Sequence, residues 1–67
     1  MKTIYHIYFD CNGSVLVGEE TTSTSSIISL TNAYFIDSKG IKRSLKECHV
    51  NRDNIAFYYV ECKYEDE

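Results

Sequence analysis

The 67-residue chain is predicted to be all-β: a small, five-stranded, strongly bent antiparallel barrel forming one domain over residues 1–67. Three observations predict it. From Ser26 to Tyr64 three strand-like runs follow one another, SIISLTNAYFID, IKRSLKECHV and IAFYYVECKY. The separators, Ser38-Lys39-Gly40 and Asn51-Arg52-Asp53-Asn54, have turn composition. Helical periodicity is almost absent, and a chain this short and this strand-rich has few architectures other than a sheet that closes on itself.

The first strand is expected over Lys2–Asp10. Ile4, His6 and Tyr8 share one parity and Tyr5, Ile7 and Phe9 the other, so both faces are largely apolar and the strand reads as an interior one. Cys11-Asn12-Gly13-Ser14 follows as a hairpin turn, Asn-Gly being a strong signal for one. The same tripeptide Asn12-Gly13-Ser14 is formally a glycosylation sequon and is read here as part of the turn. Val15–Thr21 begins the second strand. Gly18 inside it predicts a bulge or sharp bend, as a small barrel needs at a corner. Thr21–Ser26 is polar and reads as a loop or an exposed strand end.

The third strand is expected over Ile27–Asp37, with Ile28, Leu30, Tyr34 and Ile36 on one face, interrupted by Asn32, and Ile27, Ala33 and Phe35 on the other. Its length suggests a bent strand serving two parts of the sheet. In the fourth strand, Ile41–Val50, the apolar parity changes between Leu45 and Cys48. A bulge near Lys46-Glu47 reconciles the two halves, and a short helical turn near 45–49 is the competing reading. The last strand, Ile55–Lys63, is apolar on both parities. Glu65-Asp66-Glu67 reads as a frayed acidic tail.

A domain of this size stabilises itself only marginally and usually needs a staple. Cys11, Cys48 and Cys62 are an odd set, which argues against a closed disulfide framework and for reduced thiols. The expected location is cytoplasmic, with no membrane partner. Association between copies is the remaining staple. The chain has six tyrosines and three phenylalanines. Neighbouring aromatics such as Tyr8-Phe9, Tyr34-Phe35 and Phe57-Tyr58 point to opposite faces of a strand, so some must point outward. Phe57, Tyr58 and Tyr59 are therefore the expected interface of a homo-oligomer, tyrosine and phenylalanine being enriched at such surfaces.

The stretch from Ser14 to Cys62 resembles the Sm-like small-barrel family in layout. The pieces are a glycine-containing strand, Val15-Leu16-Val17-Gly18-Glu19, a polar loop, and an L-x-N-A third strand, Ser29-Leu30-Thr31-Asn32-Ala33-Tyr34. A short charged turn, Ser38-Lys39-Gly40, and the compact His49–Ile55 passage into a hydrophobic final strand complete it. The resemblance implies rings in which the fourth strand of one copy pairs with the fifth of the next, and it extends to small proteins encoded by bacterial viruses. It also implies RNA binding. The family's first RNA-binding loop, of Asp-x-x-Asn type, is replaced here by Thr22-Ser23-Thr24-Ser25. At its Arg-Gly dipeptide this chain has Asn51-Arg52, so Arg52 substitutes for the arginine only in part and the glycine is absent.

Five of the seven basic residues, Lys39, Lys42, Arg43, Lys46 and Arg52, are concentrated around the fourth strand, although the net charge is −3. Such a stripe attracts a phosphate or another anion, and Tyr34 is a candidate to stack a base beside it. The expected ligand-binding residues are thus Lys42, Arg43, Lys46, Arg52 and Tyr34, for a nucleotide or single-stranded RNA. The net acidity argues against strong non-specific nucleic-acid binding. The competing reading makes the stripe a solvated strand edge protected from pairing. No enzyme, cofactor or metal is expected. His6, Cys11, Cys48, His49 and Cys62 lack a Cys-x-x-Cys spacing, and Cys48 and His49 point opposite ways on a strand. Glu19-Glu20 and the tail read as solvated charge. The alternative function is a protein-interaction module, such as a viral inhibitor of a host protein, acting through exposed tyrosines and the acidic ends.

Overall fold

A computed structural model describes residues 2–10 and 13–64. Five strands, β1 (Lys2–Tyr8), β2 (Val15–Ser23), β3 (Ile27–Ile36), β4 (Lys42–Asn51) and β5 (Phe57–Lys63), form one antiparallel sheet in the order β4-β3-β2-β1-β5. A single 3₁₀ turn, η1 (Arg52–Asn54), joins β4 to β5. No helix among the described residues is long and apolar enough to cross a membrane. Cys11, Asn12 and the acidic tail lie outside the described residues.

The turns form where the local chemistry directs them. In the β3–β4 turn the Asp37 carboxylate accepts from the backbone N–H groups of Lys39 (2.9 Å) and Ile41 (3.0 Å). Gly40 supplies the positive φ of 88° that closes the turn. Between β2 and β3 the Thr24 hydroxyl accepts from the N–H groups of Ser26 (3.1 Å) and Ile27 (3.0 Å). At η1 the Asn51 side chain accepts from the Asp53 N–H at 3.1 Å, a short capping bond.

Residues paired across antiparallel strands share a face, and the inner face carries the core. Tyr5, Ile7, Leu16, Ile28, Leu30, Ala33 and Val50 are buried together, with Phe9, Phe35, Cys48 and Ile55 packed against them. The sheet bends at Gly18. A Cβ there would lie 2.9 Å from the Leu30 Cβ and 3.0 Å from the Ala33 Cβ. Glycine thus lets β2 and β3 approach closely on the inside of the bend.

The third strand differs from its sequence reading. Ile28 and Leu30 face the core, but so do Ala33 and Phe35, whereas Tyr34 pairs with Val17 on the outer face. Asn32 causes the change. It adopts φ 50°, a left-handed conformation that asparagine tolerates better than most residues. The β2–β3 register shifts across it, between Val17/Glu19. A second shift follows between Glu20/Thr22. The parity change expected in β4 occurs too, but without a register shift between β3 and β4. It falls at Lys46, level with Asn32, so both strands kink together. Residues 45–49 are strand throughout, so the helical alternative does not form.

The barrel is not closed. β4 and β5 stand at opposite edges of the sheet. Arg52 spans part of the gap: its Nε–H donates to the Thr24 carbonyl at 2.7 Å, and its Nη groups donate to Ser23 Oγ (3.2 Å) and to the Tyr58 hydroxyl (3.4 Å).

Candidate functional site

The strand alternation divides the predicted basic stripe. Lys42 pairs with Ile36 on the outer face, and its ammonium lies 4.2 Å from the centroid of the Tyr34 ring, within cation–π range. Arg43, one residue on, pairs with Phe35 and belongs to the opposite face. Lys46 sits further along β4, at the kink level with Asn32. Arg52 is set apart from these residues by its bonds to the β2–β3 turn and Tyr58. The Tyr58 hydrogen bond, foremost among the influences on it, raises the guanidinium pKa further above its already high value. Of the residues expected to bind a ligand, the structure therefore brings only Tyr34 and Lys42 into contact.

The outer face of β1 and β5 carries a second set of rings. His6 stacks on its cross-strand partner Tyr59, with centroids 4.4 Å apart and planes within 6°. Tyr8 stacks on Phe57 at 4.5 Å and 11°. Partial desolvation, and then Tyr8, push the Tyr59 hydroxyl above the usual phenol range. On the other face Tyr58 stacks on Tyr5 at 5.5 Å. Tyr5 in turn donates to the Glu20 carboxylate at 3.2 Å. Phe57, Tyr58, Tyr59 and Val60 remain 54, 42, 53 and 43 % exposed. Phe57, Tyr58 and Tyr59 stack against Tyr8, Tyr5 and His6 of β1 and stay partly open to solvent.

Between these two sets of rings lies a cleft of about 200 Å³ on the outer face. Its floor is Ile4, Val17 and Gly18, and His6 and Tyr34 stand on either side. The rim is polar: Glu19, Asn32, Glu61 and Lys63. Glu61 Oε1 lies 3.1 Å from His6 Nε2. Glu19 accepts from the Asn32 amide at 3.3 Å and lies 3.7 Å from the Lys2 ammonium. Sequence reasoning found Tyr34 here but weighed His6 only as a metal ligand, and it set Glu19 aside as solvated charge. The signal was the alternation His6/Tyr8 against Phe57/Tyr59, which becomes a site only when the β1–β5 register is known.

Two other groups bear on chemistry. The Ser29 hydroxyl lies 2.8 Å from His49 Nδ1 across β3 and β4. Nucleophilic catalysis also needs a group orienting the histidine and donors for the oxyanion, and no acid partners His49 among the described residues. Burial pushes the Cys48 thiol above its ordinary pKa, which keeps it protonated and weakly nucleophilic at neutral pH. Among the described residues, no three of His, Cys, Asp and Glu stand close enough to hold a metal ion.

No family model, no curated protein and no solved structure matches this chain.

Proposed function

We propose that the chain is a non-catalytic binding module. It works as a homo-oligomer and takes an anionic ligand, a nucleotide or single-stranded RNA, beside β4. The observation that carries this reading is β5, an apolar strand exposed along its whole length at the edge of an open sheet. A free edge of this kind templates pairing with another strand. β4 is a suitable partner from a second copy. In antiparallel pairing its basic start, Lys42, Arg43 and Lys46, meets the end of β5, where Glu61 is followed in sequence by Glu65, Asp66 and Glu67. Its apolar end near Val50 meets Phe57–Val60. Pairing of this kind completes a barrel from open sheets, in the ring arrangement that the Sm-like resemblance implies.

The Lys42–Tyr34 contact supports the ligand part of the reading, since it sets a cation against an aromatic face on exposed sheet. Single-stranded nucleic acids are bound by this pairing of charge and stacking. Sedimentation at micromolar concentration, with and without a short single-stranded RNA at low salt, tests both halves. An oligomer that shifts the RNA, and loses it on combined Lys42→Ala, Arg43→Ala and Lys46→Ala substitution, is expected.

One observation favours the second reading, a protein-interaction module such as a viral inhibitor of a host protein. Lys42 and Arg43 point to opposite faces, whereas β5 offers a continuous edge to an extended segment of another protein. In that case the triple substitution leaves the partner complex intact, and Tyr58→Ala or Tyr59→Ala weakens it.

A further inference from the structure

We infer that the outer-face cleft is a slot for a single planar base, and that it selects bases carrying an exocyclic amino group. This deepens the nucleotide reading above and rests on it, but it moves the recognition element from the basic strand to the sheet face.

Tyr59, His6, Val17 and Tyr34 lie in one row across β5, β1, β2 and β3. His6 is nearly parallel to Tyr59, which covers one of its faces. Its other face therefore looks along the row, over Val17. Tyr34 has Lys42 over one face, on the β4 side. Its other face looks back toward His6. Two strand spacings separate β1 from β3, roughly 9–10 Å. Aromatic rings prefer centroid separations of roughly 4.5–7 Å. One inserted ring thus satisfies both walls, giving the order Tyr59, His6, ligand, Tyr34, Lys42. Val17 lies at the base of the cleft between the two walls and is itself buried, 6 % exposed. The cleft volume of about 200 Å³ admits one base or nucleoside, not a dinucleotide stack.

The rim indicates which base. Glu19 and Glu61 present carboxylate oxygens, and Asn32 keeps one N–H and its carbonyl after donating to Glu19. Carboxylates accept from the cytosine amino group, and an asparagine amide pairs with the adenine edge. Uracil has no exocyclic amino group to give these carboxylates, its N3–H being flanked by two carbonyl oxygens that they repel, and is disfavoured. Lys63 at the rim and Lys42 beyond Tyr34 are placed to meet a phosphate on either side.

The test is titration of the full chain with adenosine, cytidine and uridine, followed by calorimetry or tyrosine fluorescence, and repeated with a short single-stranded RNA. Adenosine and cytidine are expected to bind at least tenfold more tightly than uridine. Tyr34→Ala and His6→Ala are each expected to weaken binding roughly five- to hundredfold, the range for one lost base stack. Val17→Phe fills the slot and is expected to abolish nucleoside binding. The two alanine variants, which truncate half-buried outer-face side chains, keep the test valid if Val17→Phe does not fold. Equal affinity for all three nucleosides overturns the rim assignment, and unchanged binding by Tyr34→Ala and His6→Ala overturns the slot. RNA binding that survives those two variants but is lost in the Lys42/Arg43/Lys46 triple variant overturns the slot alone. Absence of binding to any nucleoside or RNA overturns both the slot and the nucleotide reading.

Discussion

Ile7 on β1 and Ile28 and Leu30 on β3 are essentially inaccessible to solvent, whereas Phe57, Tyr58, Tyr59 and Val60 on the β5 edge are each more than two-fifths exposed. The two regions are alike in hydrophobicity, and both are regular strand. They differ in what lies opposite. β1, β2 and β3 bend around Gly18 and Asn32 and so face one another across a shared interior. β5 pairs with β1 on one side only and extends past that interior. The comparison separates two roles for apolar residues in one small sheet. Those inside the bend stabilise this copy's fold. Those on β5 add little to it and are available to another molecule.

The largest expected effect falls on the inner strands. Leu30→Ala empties a fully buried site and is expected to destabilise the fold by about 2–5 kcal/mol, measured by chemical denaturation. The matching truncation on β5, Tyr59→Ala, is expected to change the stability of a single copy far less, because the side chain is half exposed. A similar loss from both would abolish the distinction. Gly18→Val comes next. Its Cβ meets two other Cβ atoms rather than flexible side-chain ends, and overpacking of this kind costs about 1–3 kcal/mol, read as a lower melting temperature. A neutral Gly18→Val would mean that the bend is not set by this close approach.

How far the fold is legible in the sequence follows the same division. Features governed by local chemistry are legible: Ser38-Lys39-Gly40 as the β3–β4 turn, Asn51–Asn54 as the turn before β5, and the glycine bend in β2. The reversal of faces at Asn32 is not. Ile28, Leu30, Tyr34 and Ile36 keep a period of two on either side of Asn32, and a polar residue within that stripe does not by itself reveal that the backbone there has turned left-handed. For the candidate site, Tyr34 and Lys42 were readable as an aromatic beside a cation. The cleft was not, because His6, Glu61 and Asn32 come from three strands whose registers are fixed only by long-range pairing. Arg52 was read as a ligand contact from its position in the turn. Its bonds to Thr24, Ser23 and Tyr58 become visible only once β2 and β5 are folded beside it.

Smaller effects sharpen the contrast further. Arg52→Ala removes the three side-chain bonds linking η1, the β2–β3 turn and β5. It is expected to speed hydrogen exchange at the start of β5 with little change in β2–β3. Slower or unchanged exchange there would show that Arg52 does not hold the edge in place. The smallest effect concerns Cys48. Its pKa is raised in the folded chain, so folding loses nothing below the ordinary thiol range and loses stability as pH rises through and above it. Cys48→Ala is expected to flatten that alkaline decline, followed by denaturation at a series of pH values. A thiol reagent at neutral pH is expected to modify exposed Cys62 before Cys48.

The most direct test of the contrast is the solution mass of the protein at micromolar concentration, measured by sedimentation or small-angle scattering. Association through the exposed edges gives a multiple of the 7.8 kDa chain, reduced to one copy by Phe57→Ser with Tyr59→Ser while the strand signature in circular dichroism persists. A wild-type particle of one chain, with a radius of gyration close to the 11.8 Å of a single fold, would contradict it.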